Sequence, residues 1–446
     1  MVAEAAALPD DVPELDGSLH VDPETRRRYA VDAGRIGSGL PAAVLRPGSA
    51  ADVARVVRYC RRHGVPVAAR GLGNTTGGQS LVAGGVVVDA TALTGIRIGT
   101  DRATVGAGTT WLELARAAAT HGLAIPAATG YLGLTVGGTL SVGGIPPAVA
   151  AGAQVDHVHE LEVVTGEGEL RRCSPAADRE LFDAVLAGLG QLGIITEATV
   201  GLVPAPAAVH GWSLPYTDPA AFFAGLRALV RGGEATEVFG DWWRPGEAGE
   251  LHHINAFAFD RRLAPPPGAE VYEAGYLEHV TRIDEAVADL RTAIGWDALP
   301  KPWLTVWLPD SRVEEVVGAT LAELTPADVG VGGFVLLYTH HRAALTRPSL
   351  RLPAPDGSDL VHLFTLMTAG PPDPGPGFGA AMLRRNRRLL DRVLAAGGVR
   401  YPIGTVASTP ADWRVHYGDR WPHLLELRRR YDPAGILTPG HPVFRG

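Results

Sequence analysis

The residues of this 446-residue chain best suited to chemistry lie in three glycine-rich stretches. The first, Arg70-Gly71-Leu72-Gly73-Asn74-Thr75-Thr76-Gly77-Gly78-Gln79, sets four glycines and three small polar residues within ten positions. It follows an expected strand at 65–69 and precedes another at 86–88. Backbone N–H groups with no side chains in the way can wrap a pyrophosphate there. Alone, the pattern is a weak signal, and a glycine-rich turn between two strands is the more frequent explanation of it. A second stretch runs over 129–145 and contains Thr135-Val136-Gly137-Gly138-Thr139-Leu140-Ser141. A third, Gly188-Leu189-Gly190-Gln191-Leu192-Gly193-Ile194-Ile195-Thr196, follows at 188–196.

The length predicts two to three domains at roughly 150 residues each. An apolar share of 46%, a charged share of 20% and a net charge of −8 fit a globular chain and argue against nucleic-acid or membrane-surface partners. Two cysteines, Cys60 and Cys173, make no disulfide framework and lie in no metal-ligand spacing. The N-terminus lacks the basic and apolar regions of a signal peptide, and no apolar run nears the ~20 residues of a membrane span, so a cytoplasmic location is expected.

Around the glycine stretches, the pattern predicts a helix capped by Ser49, with Val53, Val56, Val57 and Cys60 on one face and Gly64 as its stop. Strands are expected over 103–106, 158–165 and 169–173, with helices over 111–120 and 180–186. Pro204-Ala205-Pro206 reads as a boundary. Beyond it, aromatic and histidine-bearing strands at 238–243, 251–259, 303–308, 334–340 and 360–367 alternate with helices near 219–231, 281–294, 312–323 and 379–396. An antiparallel sheet with helices on one face is the expected arrangement.

Taken together, the three motifs and the tail resemble the FAD-linked oxidases of the vanillyl-alcohol oxidase type, and within them the cytokinin dehydrogenase group. The tail carries Tyr431-Asp432-Pro433 and Leu437-Thr438-Pro439-Gly440, and Pro302-Trp303-Leu304, Asn386-Arg387-Arg388, Trp413, His416 and Trp421 are similar too. The resemblance implies an α+β, two-domain fold of the PCMH type. An FAD-binding domain (18–205) would be rejoined by the C-terminal segment (405–446), with a substrate domain (206–404) inserted and a flexible arm (1–17) in front.

By that resemblance Gly71, Gly73, Asn74, Thr75 and Gln79 line the pyrophosphate. Gly130, Thr135, Gly137, Gly138, Ser141, Ile145, Ile194, Thr438 and His441 match other cofactor positions. Three departures stand out. The family's flavin-linking histidine is Asn74 here, and the cysteine of the berberine-bridge-like relatives is missing, which implies non-covalent FAD. The family's catalytic Asp is Gly130, and a family Glu aligns with Asn255. Neither Gly nor Asn takes up a proton at neutral pH.

Candidate replacements are Tyr131, Asn255, His253 and Tyr338, with Asp241, His340 and His362 on neighbouring strands. A histidine titrating near neutrality or a tyrosine with a lowered pKa would serve as base. Each also fits a hydrogen-bonded strand residue, and Trp242, Trp243, Trp303 and Trp307 fit either pocket walls or core.

The expected function is FAD-dependent oxidation of a C–H next to nitrogen or oxygen in a small, partly aromatic metabolite. Electrons would pass to oxygen or another acceptor, and specialised biosynthesis suits the altered site. A redox-neutral cyclase, isomerase or lyase on the same scaffold is the first alternative. A non-catalytic flavin- or ligand-binding protein is the second.

Overall fold

The computed structural model describes residues 8–243 and 252–444. Four strands, β1 (Ser18–His20), β2 (Ala43–Arg46), β3 (Val67–Arg70) and β4 (Val86–Asp89), make a first sheet in the order β1-β2-β4-β3. β4 pairs parallel with both β2 and β3. The crossover between β2 and β3 is helix Ala50–His63, which starts at the Ser49 hydroxyl, ends at Gly64 and buries Val53, Val56, Val57 and Cys60. Asp52 in its first turn accepts from the N–H groups of Asp16 (2.9 Å), Gly17 (2.8 Å) and Gly48 (2.8 Å). The described part of the N-terminal arm therefore lies along this helix, where the Tyr59 hydroxyl also donates to Pro9 O at 2.7 Å.

The second sheet runs β5 (Ile96–Ile98), β6 (Arg102–Gly106), β10 (Ile194–Gly201), β8 (Val158–Val164), β9 (Leu170–Cys173), all antiparallel. A short ribbon pairs β7 (Leu123–Ala124) with β11 (Val203–Pro204). The tail closes the first sheet. Val67 N–H donates to Ile436 O (2.9 Å) and Thr438 N–H to Val67 O (2.8 Å), so residues 436–438 cover the free edge of β3.

The third sheet has eight strands. These are β12 (Val209–Tyr216), β13 (Glu237–Trp243), β14 (His252–Phe259), β15 (Glu270–Ala274), β16 (Leu304–Pro309), β17 (Phe334–His341), β18 (Leu360–Met367) and β19 (Val399–Arg400), in the order β15-β12-β14-β13-β17-β18-β16-β19. β12 and β15 escape the sequence reading, and the cause is composition. β12 carries Gly211 and Pro215, and β15 is a largely exposed edge strand without alternation.

The two faces differ in partner. One face, with Trp212, Trp242, Ile254, Leu337, Phe364 and Leu308, packs under helices Pro219–Gly232, Val313–Glu323 and Phe378–Ala395. The other face contributes Trp307, Val361 and Leu363 to the same core as the second sheet and the second glycine stretch. Trp242 and Trp307 are thereby core residues. Trp243 is half exposed and stacked on Phe334 at 4.7 Å.

Asn386 joins these layers. Its Nδ2 donates to Pro302 O (3.1 Å), Trp303 O (3.2 Å) and Thr405 O (2.9 Å), and its Oδ1 accepts from Arg385 Nη2 (2.9 Å). Asn386→Ala removes the donor to Thr405 O and the acceptor of Arg385, while Pro302 O keeps Arg385 Nη2 (3.1 Å) and Trp303 O keeps Thr405 N–H (2.7 Å), and should cost about 2 kcal/mol of stability, measured by denaturant unfolding.

Candidate active site

The loop after β3 is shaped from below. Asp32 accepts from Gly34 N (3.1 Å), Thr75 Oγ1 (2.9 Å) and Gly78 N (2.8 Å). Gln79 spans the loop, accepting from Gly77 N (2.8 Å) and donating to Ile403 O (3.3 Å) and Gly404 O (3.2 Å). The side chains of Thr75 and Gln79 are thus spent on the loop's own shape. What the loop offers a ligand is its backbone. Among the described residues, the N–H groups of Leu72, Gly73, Asn74, Thr75 and Thr76 donate to no protein acceptor, while Leu72 and Asn74 are exposed. Successive free N–H groups make an anion-binding concavity. Arg70 stands behind it, donating to Val31 O at 2.8 Å.

The second stretch meets the first at Gly71. A Cβ there would lie 2.1 Å from Thr135 Oγ1, so only glycine lets the loop approach. Helix Val136–Leu140 forms within the glycines, and Ser141 Oγ turns back to Gly137 O at 2.7 Å, leaving Gly138 exposed. The third stretch meets the tail at Gly190, whose Cβ would lie 2.8 Å from Thr438 Oγ1. Ala187, Leu189 and Thr438 take left-handed backbone angles (φ +55°, +58° and +44°), strain that clusters where these loops converge. Ile145 is buried in the core of the second stretch, and Ile194 packs under Ile436 and Leu437. Ile194 is 3% exposed and forms part of the core beneath the tail.

His441 is buried with Nε2 unpartnered, its ring edge-on to Trp413 at 5.4 Å. Burial pushes its pKa down to about 3, helped by the Arg400 charge. Both side-chain amide atoms of Gln154 are likewise buried without partners, against Gly144.

Opposite these loops lies the third sheet. Cross-strand register aligns Asn255 with Phe239 and His253 with Asp241, and Phe239 in turn with Tyr338. All five side chains therefore share one face. It is the face that carries Leu363 and Trp307 in register with Tyr338, turned toward the glycine stretches. Asn255 Nδ2 donates to Asp241 Oδ2 at 3.1 Å, and His253 Nδ1 lies 3.4 Å from Asp241 Oδ1. Phe239 stacks on Phe257 at 6.1 Å and meets the Tyr338 ring edge-on at 5.9 Å. A Cβ on Gly130 would lie 3.2 Å from the Tyr338 hydroxyl.

The structure separates the other candidates. Tyr131 folds over Gly133 and accepts from Arg291 Nη2 at 3.2 Å, and among the described residues no hydrogen bond or ring contact joins it to Tyr338, His253 or Asn255. His362 faces the helices, bonded to Thr339 Oγ1 (2.9 Å) and Asp310 Oδ1 (2.8 Å). The expectation of a lowered tyrosine pKa is overturned at Tyr338. Burial, reinforced by Glu237 and Asp241, pushes that phenol up to about 12, so it donates hydrogen bonds and stays neutral. Two residues escape the sequence reading. Asp32 lies in a segment without periodicity. Glu237 shares its face with Asp241 by simple alternation, a signal that was available; it is bonded to His279 Nε2 at 3.0 Å.

Residues 41–174 match the family described as an FAD binding domain. Residues 266–444 match that of cytokinin dehydrogenase 1, FAD and cytokinin binding. An uncharacterized oxidoreductase, ORF5 in the fasciation locus of Rhodococcoides fascians, is 32% identical over 96% of this chain and 99% of its own length. Cytokinin dehydrogenase 6 of Oryza sativa subsp. japonica is 32% identical over 99% of this chain and 95% of its own length. Cytokinin dehydrogenase 2 of Arabidopsis thaliana is 29% identical over 97% and 95%.

The chain belongs to the cytokinin dehydrogenase family of FAD-binding oxidoreductases. It is an FAD-linked enzyme with an α+β FAD-binding domain and a domain built on the large antiparallel sheet. The residues present fit the cofactor. Free N–H groups over 72–76 suit a pyrophosphate, the close approach at Gly71 keeps that cradle open, and unpartnered polar atoms of His441 and Gln154 lie near the converging loops. No helix among the described residues is long and apolar enough to cross a membrane, and no group of acidic, histidine or cysteine residues among them is arranged to hold a metal.

Proposed function

We propose that this protein oxidises a C–H bond next to nitrogen or oxygen in a small, planar, partly aromatic metabolite, with FAD held non-covalently and oxygen or another acceptor taking the electrons. Bound FAD supplies the two-electron acceptor. Segments 18–205 and 405–446 hold it, and 206–404 covers the substrate. Within the first, the N–H groups of residues 72–76 carry the pyrophosphate. Thr135, Gly137, Gly138, Ser141, Gly190, Thr438 and His441 border the rest.

The observation that carries this reading is the Tyr338 hydroxyl standing 3.2 Å from the place of a Gly130 side chain. The relatives are named dehydrogenases, and the resemblance puts their catalytic Asp at this position. Here the Tyr338 phenol stands beside that position, so this reading gives the pocket a polar group there in place of a carboxylate. Tyr338 donates a hydrogen bond to the substrate's heteroatom, Asn255 orients it, and Phe239 and Phe257 exclude water. The altered position also favours a substrate other than the relatives' cytokinins, in specialised metabolism. Two buried free cysteines suit a reducing, cytoplasmic setting.

Two measurements test the reading. Acid precipitation should leave yellow flavin in the supernatant, because Asn74 carries no ring nitrogen for a flavin bond; a yellow pellet would refute non-covalent attachment. Anaerobic mixing of the flavin-loaded protein with benzylic amines and alcohols, and with isopentenyladenine as the relatives' type of substrate, should bleach the visible flavin band with at least one of them. Tyr338→Phe should slow that bleaching about tenfold, the loss of one hydrogen bond in the transition state. Turnover without bleaching would instead establish the redox-neutral alternative.

A further inference from the structure

Beneath the first glycine loop runs a strut, residues 29–34. Ala33 N–H donates to Gly73 O (2.8 Å) and Gly34 N–H to Thr75 O (3.2 Å). A Cβ on Gly34 would lie 1.9 Å from Thr76 O, so the loop rests directly on the strut. Two cations hold the strut. Arg70 donates to Tyr29 O (3.3 Å) and Val31 O (2.8 Å). The second is Lys301, the only lysine among the 40 basic residues of the chain. It is 3% exposed. Its Nζ donates to Leu299 O (3.0 Å) and Ala33 O (3.4 Å) and lies 5.0 Å from the centre of the Trp296 ring. Its backbone N–H donates to Gly34 O at 2.8 Å. Lys301 stands just ahead of β16, so it ties the strut to the third sheet. Among the described residues no carboxylate forms an ion pair with either cation, and Asp32 acts on both from a distance. A buried ammonium without a paired anion is costly, and a bound anion relieves that cost.

We propose that Lys301 is a positioning residue for the cofactor: its ammonium clamps the strut under the pyrophosphate loop and adds positive charge beneath it, so the grip on FAD depends on a cation carried at the edge of the third sheet. This rests on the reading of residues 72–76 as the pyrophosphate cradle. The clamp acts through Ala33 and Gly34, which hold Gly73 and Thr75 in place.

Burial is the largest influence on the Lys301 amine and pushes its pKa down to about 8; Asp297 and Asp32 favour the ammonium, and Arg35 and Arg291 oppose it. A bound pyrophosphate favours the charged amine. FAD is therefore held at full strength below that value and more weakly as the pH rises above it. Release of FAD from the flavin-loaded protein, followed by flavin fluorescence after dilution, should quicken about fivefold between pH 7 and 9. Lys301→Met keeps the length of the stem and drops the charge. It should release FAD about tenfold faster than the wild type at pH 7, the scale of one charge-assisted hydrogen bond, with no further rise to pH 9.

A wild-type rate that stays flat over this range, a Lys301→Met rate equal to the wild type at pH 7, or a pH rise that survives in Lys301→Met would overturn the assignment. Lys301→Arg, whose charge persists well above pH 9, serves where Lys301→Met does not fold. It should release FAD without the rise, and a rise like that of the wild type counts against Lys301. FAD content of the same preparations separates the two levels. Loaded flavin whose release ignores Lys301 removes Lys301 alone, whereas a wild type that takes up no FAD removes the reading of the cradle as well.

Discussion

Asp32→Asn should leave the purified protein with most of its flavin missing. The residue lies outside every glycine motif, yet it is the support of the first loop. Its Oδ1 holds Gly34 N–H at 3.1 Å, and its Oδ2 holds both Thr75 Oγ1 (2.9 Å) and Gly78 N–H (2.8 Å). An amide has one acceptor oxygen, so either Gly34 or the Thr75–Gly78 pair would face an NH2 group. Burial already raises the carboxyl pKa, and the surrounding donors work to keep it ionised. Losing a charge-assisted bond costs about 1.5–3 kcal/mol, which converts to about ten- to a hundredfold weaker FAD binding if the loop is ordered chiefly in the bound state. Flavin-to-protein absorbance after gel filtration, followed by FAD titration of the stripped protein, gives the number. A variant that keeps stoichiometric FAD at wild-type affinity would show that the loop needs no such support.

A second large effect is expected with pH. His340, His416 and His441 are all buried, and burial lowers the pKa of each, to about 3 for His340 and His441 and well below the ordinary value for His416. Around His441 stand His416, Arg400, Trp413 and the Pro402 carbonyl, and the Arg400 charge adds to the depression. An unfolded histidine binds its proton near pH 6.5, so between that value and about 3 the unfolded chain holds more protons than the folded one. Stability therefore falls as the pH drops through this window. At pH 5 the loss is about 2 kcal/mol each for His340 and His441.

Asp432 acts in the opposite sense. Burial raises its pKa to about 6, so its contribution is present in acid and lost as the pH rises through that value. Burial raises Asp32, Asp241 and Asp284 in the same sense and lowers His362 with the other imidazoles, and the imidazoles, titrating across the whole window from pH 7 to 5, set the sign. The thermal midpoint should drop steeply from pH 7 to 5, and His441→Gln, which removes one titrating group, should flatten the slope. A midpoint unchanged across that range would disprove the linkage.

Much of the scaffold was legible because it depends on local rules. Ser49, Gly64 and the apolar spacing between them specify helix Ala50–His63 whatever lies around it. The same is true of the strands rich in branched and aromatic residues. β12 was illegible because Gly211 and Pro215 break its alternation, and pairing with β14 and β15 on both sides makes it a strand nonetheless. Thr75 and Gln79 were legible as members of a motif, but the direction of their side chains was not. That direction depends on Asp32 and on the carbonyls of residues 403 and 404, more than 300 positions away from Gln79.

By itself the sequence determined the cofactor class, and it sets residues without an imidazole or carboxylate at Asn74, Gly130 and Asn255 whatever the fold. Only the tertiary structure decided what stands beside those positions. The Tyr338 hydroxyl reaches Gly130 because β17 lies two strands from β14 in a sheet facing the glycine stretches. Asp241 meets Asn255 because antiparallel register sets His253 opposite it and Asn255 two residues on, on the same face. Hydrogen-bonding distance between residues on different strands is a product of register and twist, and neither is written in the spacing of residues along one chain.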